Sequence, residues 1–113
     1  LVAAIPPPIT AVREQREDPR PANFALAQNY PNPFNAATTI RFALADRAQI
    51  ELSLYNLRGQ RIATLATGER SAGLYSFAWD GRDDKGHVLA SGVYLYRLRA
   101  GQRTETRKLT LLR

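Results

Sequence analysis

Residues 73–101, GLYSFAWDGRDDKGHVLASGVYLYRLRAG, hold two strand patterns with a dense polar turn between them. Tyr75, Phe77 and Trp79 alternate with Leu74, Ser76 and Ala78, and Tyr94, Tyr96 and Leu98 alternate with Val93, Leu95 and Arg97. A strand turns successive side chains to opposite faces, so a period of two predicts a half-buried β-strand in each run. The stretch DGRDDKG at 80–86 supplies Asp side chains that bond nearby backbone and Gly residues that accept positive φ, the chemistry of a turn region. Val88–Ala90 is at most a short strand.

The same period extends on both sides. Thr38, Ile40, Phe42 and Leu44 alternate with Thr39, Arg41 and Ala43, and Ile50, Leu52 and Leu54 alternate with Gln49, Glu51 and Ser53 before the NLRG turn at Asn56–Gly59. Arg61–Ala66 is a weaker strand pattern, Gly68 and Gly73 bracket an expected loop, and Glu105–Leu112 closes the series. Six or seven short strands leave no room for parallel crossovers, each of which takes about a dozen residues. The expected fold class is therefore all-β, an antiparallel sandwich, and the uneven segment lengths argue against an up-and-down barrel. A domain of this size buries roughly 60% of the surface its unfolded chain exposes, so Trp79, Tyr94, Phe77 and Phe42 are expected to carry its core.

The chain changes character near residue 28. All seven Pro fall between Pro6 and Pro33, and all seven Gly between Gly59 and Gly101. Residues 1–28 contain PPP and balance three Arg against Glu14, Glu17 and Asp18, the composition of a semi-rigid linker from an upstream domain. They lack the basic start and small-residue cleavage site of a signal peptide, and the absence of Met predicts a processed product or a piece of a longer chain. The domain itself is expected at 29–113, which carries the whole net charge of +6.

Chemistry is sparse. Without Cys there are no disulfides, thiolate metal sites or cysteine nucleophiles. The lone His87 reads as a turn or rim residue, and Asp83, His87 and Ser91 have no oxyanion hole or nucleophile elbow beside them to make a triad. Asp80, Asp83 and Asp84 invite a calcium loop, but Arg82 and Lys85 stand where an EF-hand needs a ligand and a Gly, so capping of backbone N–H groups is favoured. Arg supplies 14 of the 16 cations, spread over nearly every strand with no recognition helix or stacking motif, which argues against nucleic acid. No apolar run approaches the roughly 18 residues that span a bilayer. Tyr94, Tyr96 and Trp79 offer an aromatic platform for sugars, although a domain this small needs such residues in its core. No catalytic, cofactor or metal residues are assigned, and an enzyme is not expected.

Taken in order, QNYPNPFN at 28–35, TTIRFAL, LYNLRGQRIATL, GLYSFAWDGRDDKGHVLASGVYLYRLRAG and the final TRKLTLLR resemble the type A C-terminal sorting domain of the type IX secretion system, over residues 28–113. The WDGRDDKG and SGVYLYRL landmarks are also similar to the immunoglobulin-like domain of flagellar hook-capping proteins. The resemblance implies a seven-strand immunoglobulin-like sandwich that is an address and not a catalyst. By the same resemblance it would sit at the end of a larger protein exported through the periplasm to the cell surface or the medium. The implied partners are the outer-membrane translocon, its shuttle and a sortase-like peptidase that cuts in the linker before Tyr30 and joins the cargo to anionic lipopolysaccharide. An accessory carbohydrate-binding or adhesion module of a secreted hydrolase is the alternative.

Within that frame the residues divide by role. In the lead-in motif Tyr30, Pro31, Asn32, Pro33 and Phe34, the prolines hold Tyr30 and Asn32 extended, so that Tyr30 and Phe34 plug the end of the sandwich. Trp79, Asp80, Gly81, Gly92 and Tyr94 read as core and turn residues, with Gly92 a hinge or bulge. Arg107, Lys108, Leu109, Leu111 and Leu112 are the expected recognition element, an edge strand open to strand addition and to strand-exchange dimerisation.

Overall fold

The computed structural model describes residues 23–113; the linker expectation for 1–28 falls mostly outside the described residues. Seven strands form two antiparallel sheets: β1 (Ala25–Leu26), β2 (Thr38–Leu44) and β5 (Gly73–Trp79) in the order β1-β2-β5, and β4 (Arg61–Arg70), β3 (Ala48–Tyr55), β6 (Gly92–Ala100) and β7 (Arg103–Leu111) in the order β4-β3-β6-β7. The all-β sandwich read from the alternation is thus the observed fold. The first strand lies upstream of Asn29, so the folded unit takes in part of the segment assigned to the linker.

The alternation works as read in β2, where Thr38, Ile40, Phe42 and Leu44 are buried and Arg41 is exposed. Opposite them Leu52 and Leu54 of β3, Tyr96 and Leu98 of β6, and Leu109 and Leu111 of β7 are fully buried. Each side chain of this kind contributes about 1.5–3 kcal/mol by leaving water. Of the four expected core aromatics, Trp79 and Phe42 are buried, whereas Phe77 and Tyr94 are only partly covered. Phe77 lies on β5, an edge strand of its sheet, and stacks on Phe42 at 5.9 Å, with no further strand beside it among the described residues.

Two local expectations are corrected. Gly68 lies inside β4, which runs to Arg70, because Leu52 pairs with Ala66 and Ser53 with Thr64, leaving Leu65 as an unpaired extra residue. That bulge shifts the phase, so that Ala63 and Ala66 both face inward and the period of two fails. Gly92 is no bulge; it opens β6 in unbroken register with β7, paired with Leu111. The β6–β7 hairpin turns through Gly101 at φ 61 and Gln102, a two-residue loop with Gly first, as a type II′ turn requires.

On the outer face of the four-stranded sheet, Glu51 of β3 accepts from Arg61 of β4 at 2.7 Å and from Arg99 of β6 at 2.9 Å. Burial pushes its carboxyl up, but the hydrogen bonds from Arg61 and Ser53 and the charge of Arg99 outweigh that and hold it below the usual range. One carboxylate therefore ties three strands together.

Candidate functional site: the lead-in motif on the last strand

The NYPNPFN motif and the terminal strand, far apart in sequence, form one structural unit. Phe34 pairs with β7 as a short parallel bridge: its N–H donates to the Thr110 carbonyl at 2.9 Å, and its carbonyl accepts from the Leu112 N–H at 2.9 Å. The Asn32 side chain accepts from the Thr110 N–H at 2.9 Å, and the Gln28 amide donates to the Lys108 carbonyl at 2.8 Å. The outer edge of β7 is thus occupied over its C-terminal half, not free as the sequence reading expects. Backbone groups that an added strand needs already have partners.

The N-terminal half of the same edge is closed by side chains. Glu105 accepts from the Leu26 N–H at 2.7 Å and Arg107 donates to the Leu26 carbonyl at 2.6 Å, joining β7 to β1 across the open side of the sandwich. Arg107 therefore has a structural task. Leu109 and Leu111 are fully buried, which removes them from direct reading by a partner, while Lys108 and Leu112 are exposed. Arg113 folds back: its N–H donates to Ser91 Oγ at 2.8 Å, and its guanidinium donates to the carbonyls of Leu89 at 3.0 Å and Gly81 at 2.9 Å.

Of the two expected plugs only Phe34 is one. Its ring is buried against Trp79 at 5.7 Å, and Trp79 meets Tyr94 edge-on at 6.0 Å. Tyr30 is 73% exposed because its backbone pairs with Thr39, and paired residues share a face, here the outer one. Pro31 and Pro33, both preceded by cis peptide bonds, are exposed, and the Pro31 carbonyl accepts from Thr38 Oγ1 at 2.7 Å. The Trp79 indole N–H donates to the Arg82 carbonyl at 2.9 Å, and Asp80 stands exposed beside Arg82. Gly81 has φ 77, a conformation that favours Gly, and a Cβ there would displace the Arg113 guanidinium, 2.7 Å away, and crowd Leu111 at 3.3 Å.

Asn29 and Tyr96 hold the lead-in in place by contacts that neither the motif nor the strand alternation signals. Asn29, 2% exposed, donates its backbone N–H to the Tyr96 hydroxyl at 2.8 Å and its amide to Thr38 Oγ1 at 2.9 Å. The Tyr96 hydroxyl in turn donates to the Ala27 carbonyl at 2.7 Å. Burial pushes the Tyr96 phenol up, against the pull of the Asn29 N–H and the Arg107 charge. Tyr96→Phe should cost about 1–3 kcal/mol at neutral pH, because the Asn29 N–H and Ala27 carbonyl lose their partner. An unfolded Tyr ionises near pH ~10 while the folded phenol holds its proton, so this contribution is present below that pH and is lost as pH rises through the folded pKa. Urea midpoints of the two proteins, well separated at pH ~8, should converge above pH ~10; a constant gap would refute the role of this phenol.

The DGRDDKG loop uses its carboxylates internally. Asp83 accepts from the N–H groups of Lys85 and His87, each at 2.9 Å, and faces the His87 ring at 3.2 Å. The His87 N–H, then burial acting the other way, then the Lys85 N–H set the balance that lowers the Asp83 carboxyl. Asp84 accepts from the Thr64 N–H at 3.1 Å, fastening the loop to β4. The capping reading of this loop is the observed one. Basic residues are similarly engaged: besides Arg61, Arg99, Arg107 and Arg113, Arg97 lies 4.8 Å over the Tyr55 ring and Arg103 5.9 Å over Phe24. Much of the positive charge thus belongs to the fold. Tyr96 and Trp79 are in the core and the Tyr94 hydroxyl donates to the Ala90 carbonyl at 2.6 Å, so these three rings form no surface platform.

Two facing antiparallel sheets, a buried Trp between them and loops at both ends define an immunoglobulin-like β-sandwich domain. The chain belongs to the FlgD Ig-like domain family, whose model matches residues 31–104. Among solved structures it is similar to dimeric latent PorU from Porphyromonas gingivalis, at 16% identity and TM-score 0.63 over 80% of this chain and 10% of PorU. It is also similar to FlgD from P. aeruginosa, at 23% identity and TM-score 0.52 over 66% of this chain and 58% of that one. A third, PorZ, described as an essential surface component of the type IX secretion system of P. gingivalis, aligns at 18% identity and TM-score 0.50 over 88% of this chain and 13% of PorZ. The chain thus spans a small part of PorU and PorZ and a little over half of FlgD, and at these identities the likeness is one of fold. No curated protein matches it.

Proposed function

We propose that this chain is a non-catalytic secretion-signal module that directs a larger exported protein through the type IX secretion system, for anchoring at the cell surface or release. The observation that carries this reading is the composite end of the sandwich. NYPNPFN, by which the chain resembles sorting domains, is bonded to the terminal strand that the reading needs as its recognition element. Exposed Lys108 and Leu112 stand on that unit, and residues 105–113 lie outside the family match at 31–104. Its partners would be the translocon, its shuttle and the sortase-like peptidase, with anionic lipopolysaccharide joined to the cargo. The segment upstream of β1 would link the module to that cargo. Burial of Trp79 and Tyr96 weighs against the carbohydrate-binding alternative, since the rings that motivate it are inside.

The test is export of a signal-peptide-bearing fluorescent reporter fused to residues 1–113, in a bacterium with the type IX machinery. Lys108→Ala with Leu112→Ala is the comparison. Exposed substitutions of this kind shift stability by about 0.5 kcal/mol or less, so the variant should stay folded while surface or medium fluorescence falls. Periplasmic retention of the unaltered fusion, with the domain shown to be folded, would overturn the proposal.

A further inference from the structure

The four strands at the sheet edges are not equally protected. Strand β7 is covered by Phe34, Asn32, Gln28 and Leu26, and β1 is two residues long. Strand β4 carries Arg61, Glu69 and Arg70, bends at Leu65, and bonds to Asp84 through the Ile62 carbonyl and the Thr64 N–H. These are the devices by which sheet proteins block unwanted pairing. Among the described residues strand β5 has none of them. Its sequence, GLYSFAW, contains no charge and no Pro, and its seven residues pair with β2 without a register break. Among the described residues no strand pairs with its other side. Leu74 is 71% exposed, Ser76 and Ala78 are exposed, and Tyr75 and Phe77 are only partly covered.

We propose that β5 is the site at which two copies of this chain associate, edge to edge and antiparallel about a two-fold axis. Centred on Ser76, the pairing sets Leu74 opposite Ala78 of the second copy and Tyr75 opposite Phe77 of the second copy, with Ser76 facing its own counterpart. The strand is self-complementary in that register: small against large on the outer face, aromatic against aromatic on the inner one, a favourable class of cross-strand pair. Electrostatics selects the same edge. Each copy carries +6, and β5 is a strand along which two such molecules approach without setting cation against cation. One strand pair is a small contact, below the roughly 1,200 Å² of stable interfaces, so the dimer is weak and concentration-dependent. The two molecules would share a continuous sheet in the order β1-β2-β5-β5-β2-β1.

Sedimentation of the full chain from about 10 µM to about 1 mM covers the range of weak interfaces. The average mass should rise from 12.6 kDa toward twice that value, with amide hydrogen exchange slowed in Gly73–Trp79. Ser76→Glu separates interface from fold, since Glu at 76 faces Arg41 on β2 within one molecule but faces another Glu across the two-fold. It should weaken dimerisation at least ~10-fold with thermal unfolding unchanged. Independently, Ser76→Cys, the sole thiol in a Cys-free chain, should cross-link faster under mild oxidation than Gln102→Cys on the exposed β6–β7 turn. A monomer throughout the range, a dimer indifferent to Ser76→Glu, or equal cross-linking at 76 and 102 would each overturn the proposal. A dimer whose exchange protection falls on β7 instead would assign the contact to strand exchange and overturn it too.

Discussion

Trp79→Ala should leave the domain largely unfolded at physiological temperature. The indole is 3% exposed, stands between the Phe34 and Tyr94 rings, and spends its N–H on the Arg82 carbonyl, which fixes the turn into DGRDDKG. Truncating a buried aromatic to Ala costs about 3–5 kcal/mol, transfer and cavity together. Loss of the turn hydrogen bond adds about 1 kcal/mol. A domain this small lies toward the lower end of the usual 5–15 kcal/mol of stability, so the loss consumes most of it. The midpoint of thermal unfolding should fall by roughly 4–8 °C for each kcal/mol. A second consequence is local. Phe34 loses the ring it leans on, so the lead-in should loosen first, visible as faster amide exchange at Phe34 and Leu112, the two N–H donors of that bridge. An unchanged unfolding midpoint would mean that the inner face of β5 is misassigned.

What was legible in the sequence was the part of the fold that obeys a local period. The runs at Thr38–Leu44 and Gly92–Ala100 show their buried faces in the primary sequence, because each strand has one wet and one dry side. Strand β4 shows where this fails: the unpaired Leu65 flips the phase, so a reader following alternation stops at Ala66 and takes Gly68 for a loop. Strand β1 is too short to display any period. The site was harder still, since its determinants are side chains bonding to distant backbone. Asn29 with Tyr96, Glu105 and Arg107 with Leu26, and Arg113 with Gly81 are contacts between ends of the chain with no local signature. The sequence marks Phe34 and Tyr30 alike as aromatic plugs; only the pairing of Tyr30 with Thr39 tells which ring faces inward. Charge follows the same rule: Arg107 and Lys108 are both expected from the sequence to face a partner, yet Arg107, like Arg99 and Arg113, answers an acceptor inside the molecule, and Lys108 stands exposed.

That difference decides how the sorting reading has to be tested, through the deletion that would seem its natural probe. Removing Lys108–Arg113 should unfold the domain rather than expose a mute but intact one. The deletion takes out Leu109 and Leu111, both fully buried, and a Leu-to-Ala change at such a site alone costs about 2–5 kcal/mol. It also removes the Thr110 carbonyl and Leu112 N–H that hold Phe34, and the Arg113 guanidinium that bonds Gly81 and Leu89. Left behind are buried backbone groups without partners, each worth about 1–3 kcal/mol of further loss. The sum exceeds the whole stability of an ordinary small domain. The truncated chain should therefore show no cooperative thermal transition, and loss of export on truncation would follow from unfolding whatever the machinery reads. Paired with it, Lys108→Ala with Leu112→Ala leaves Leu109, Leu111 and every backbone bond to Phe34 in place. Export lost in both, with a cooperative transition retained only in the second, is the pattern a surface-read signal predicts. A cooperative, native-like transition in the truncated chain would instead show that the β7 end is an appendage, and the composite unit with the lead-in would no longer stand.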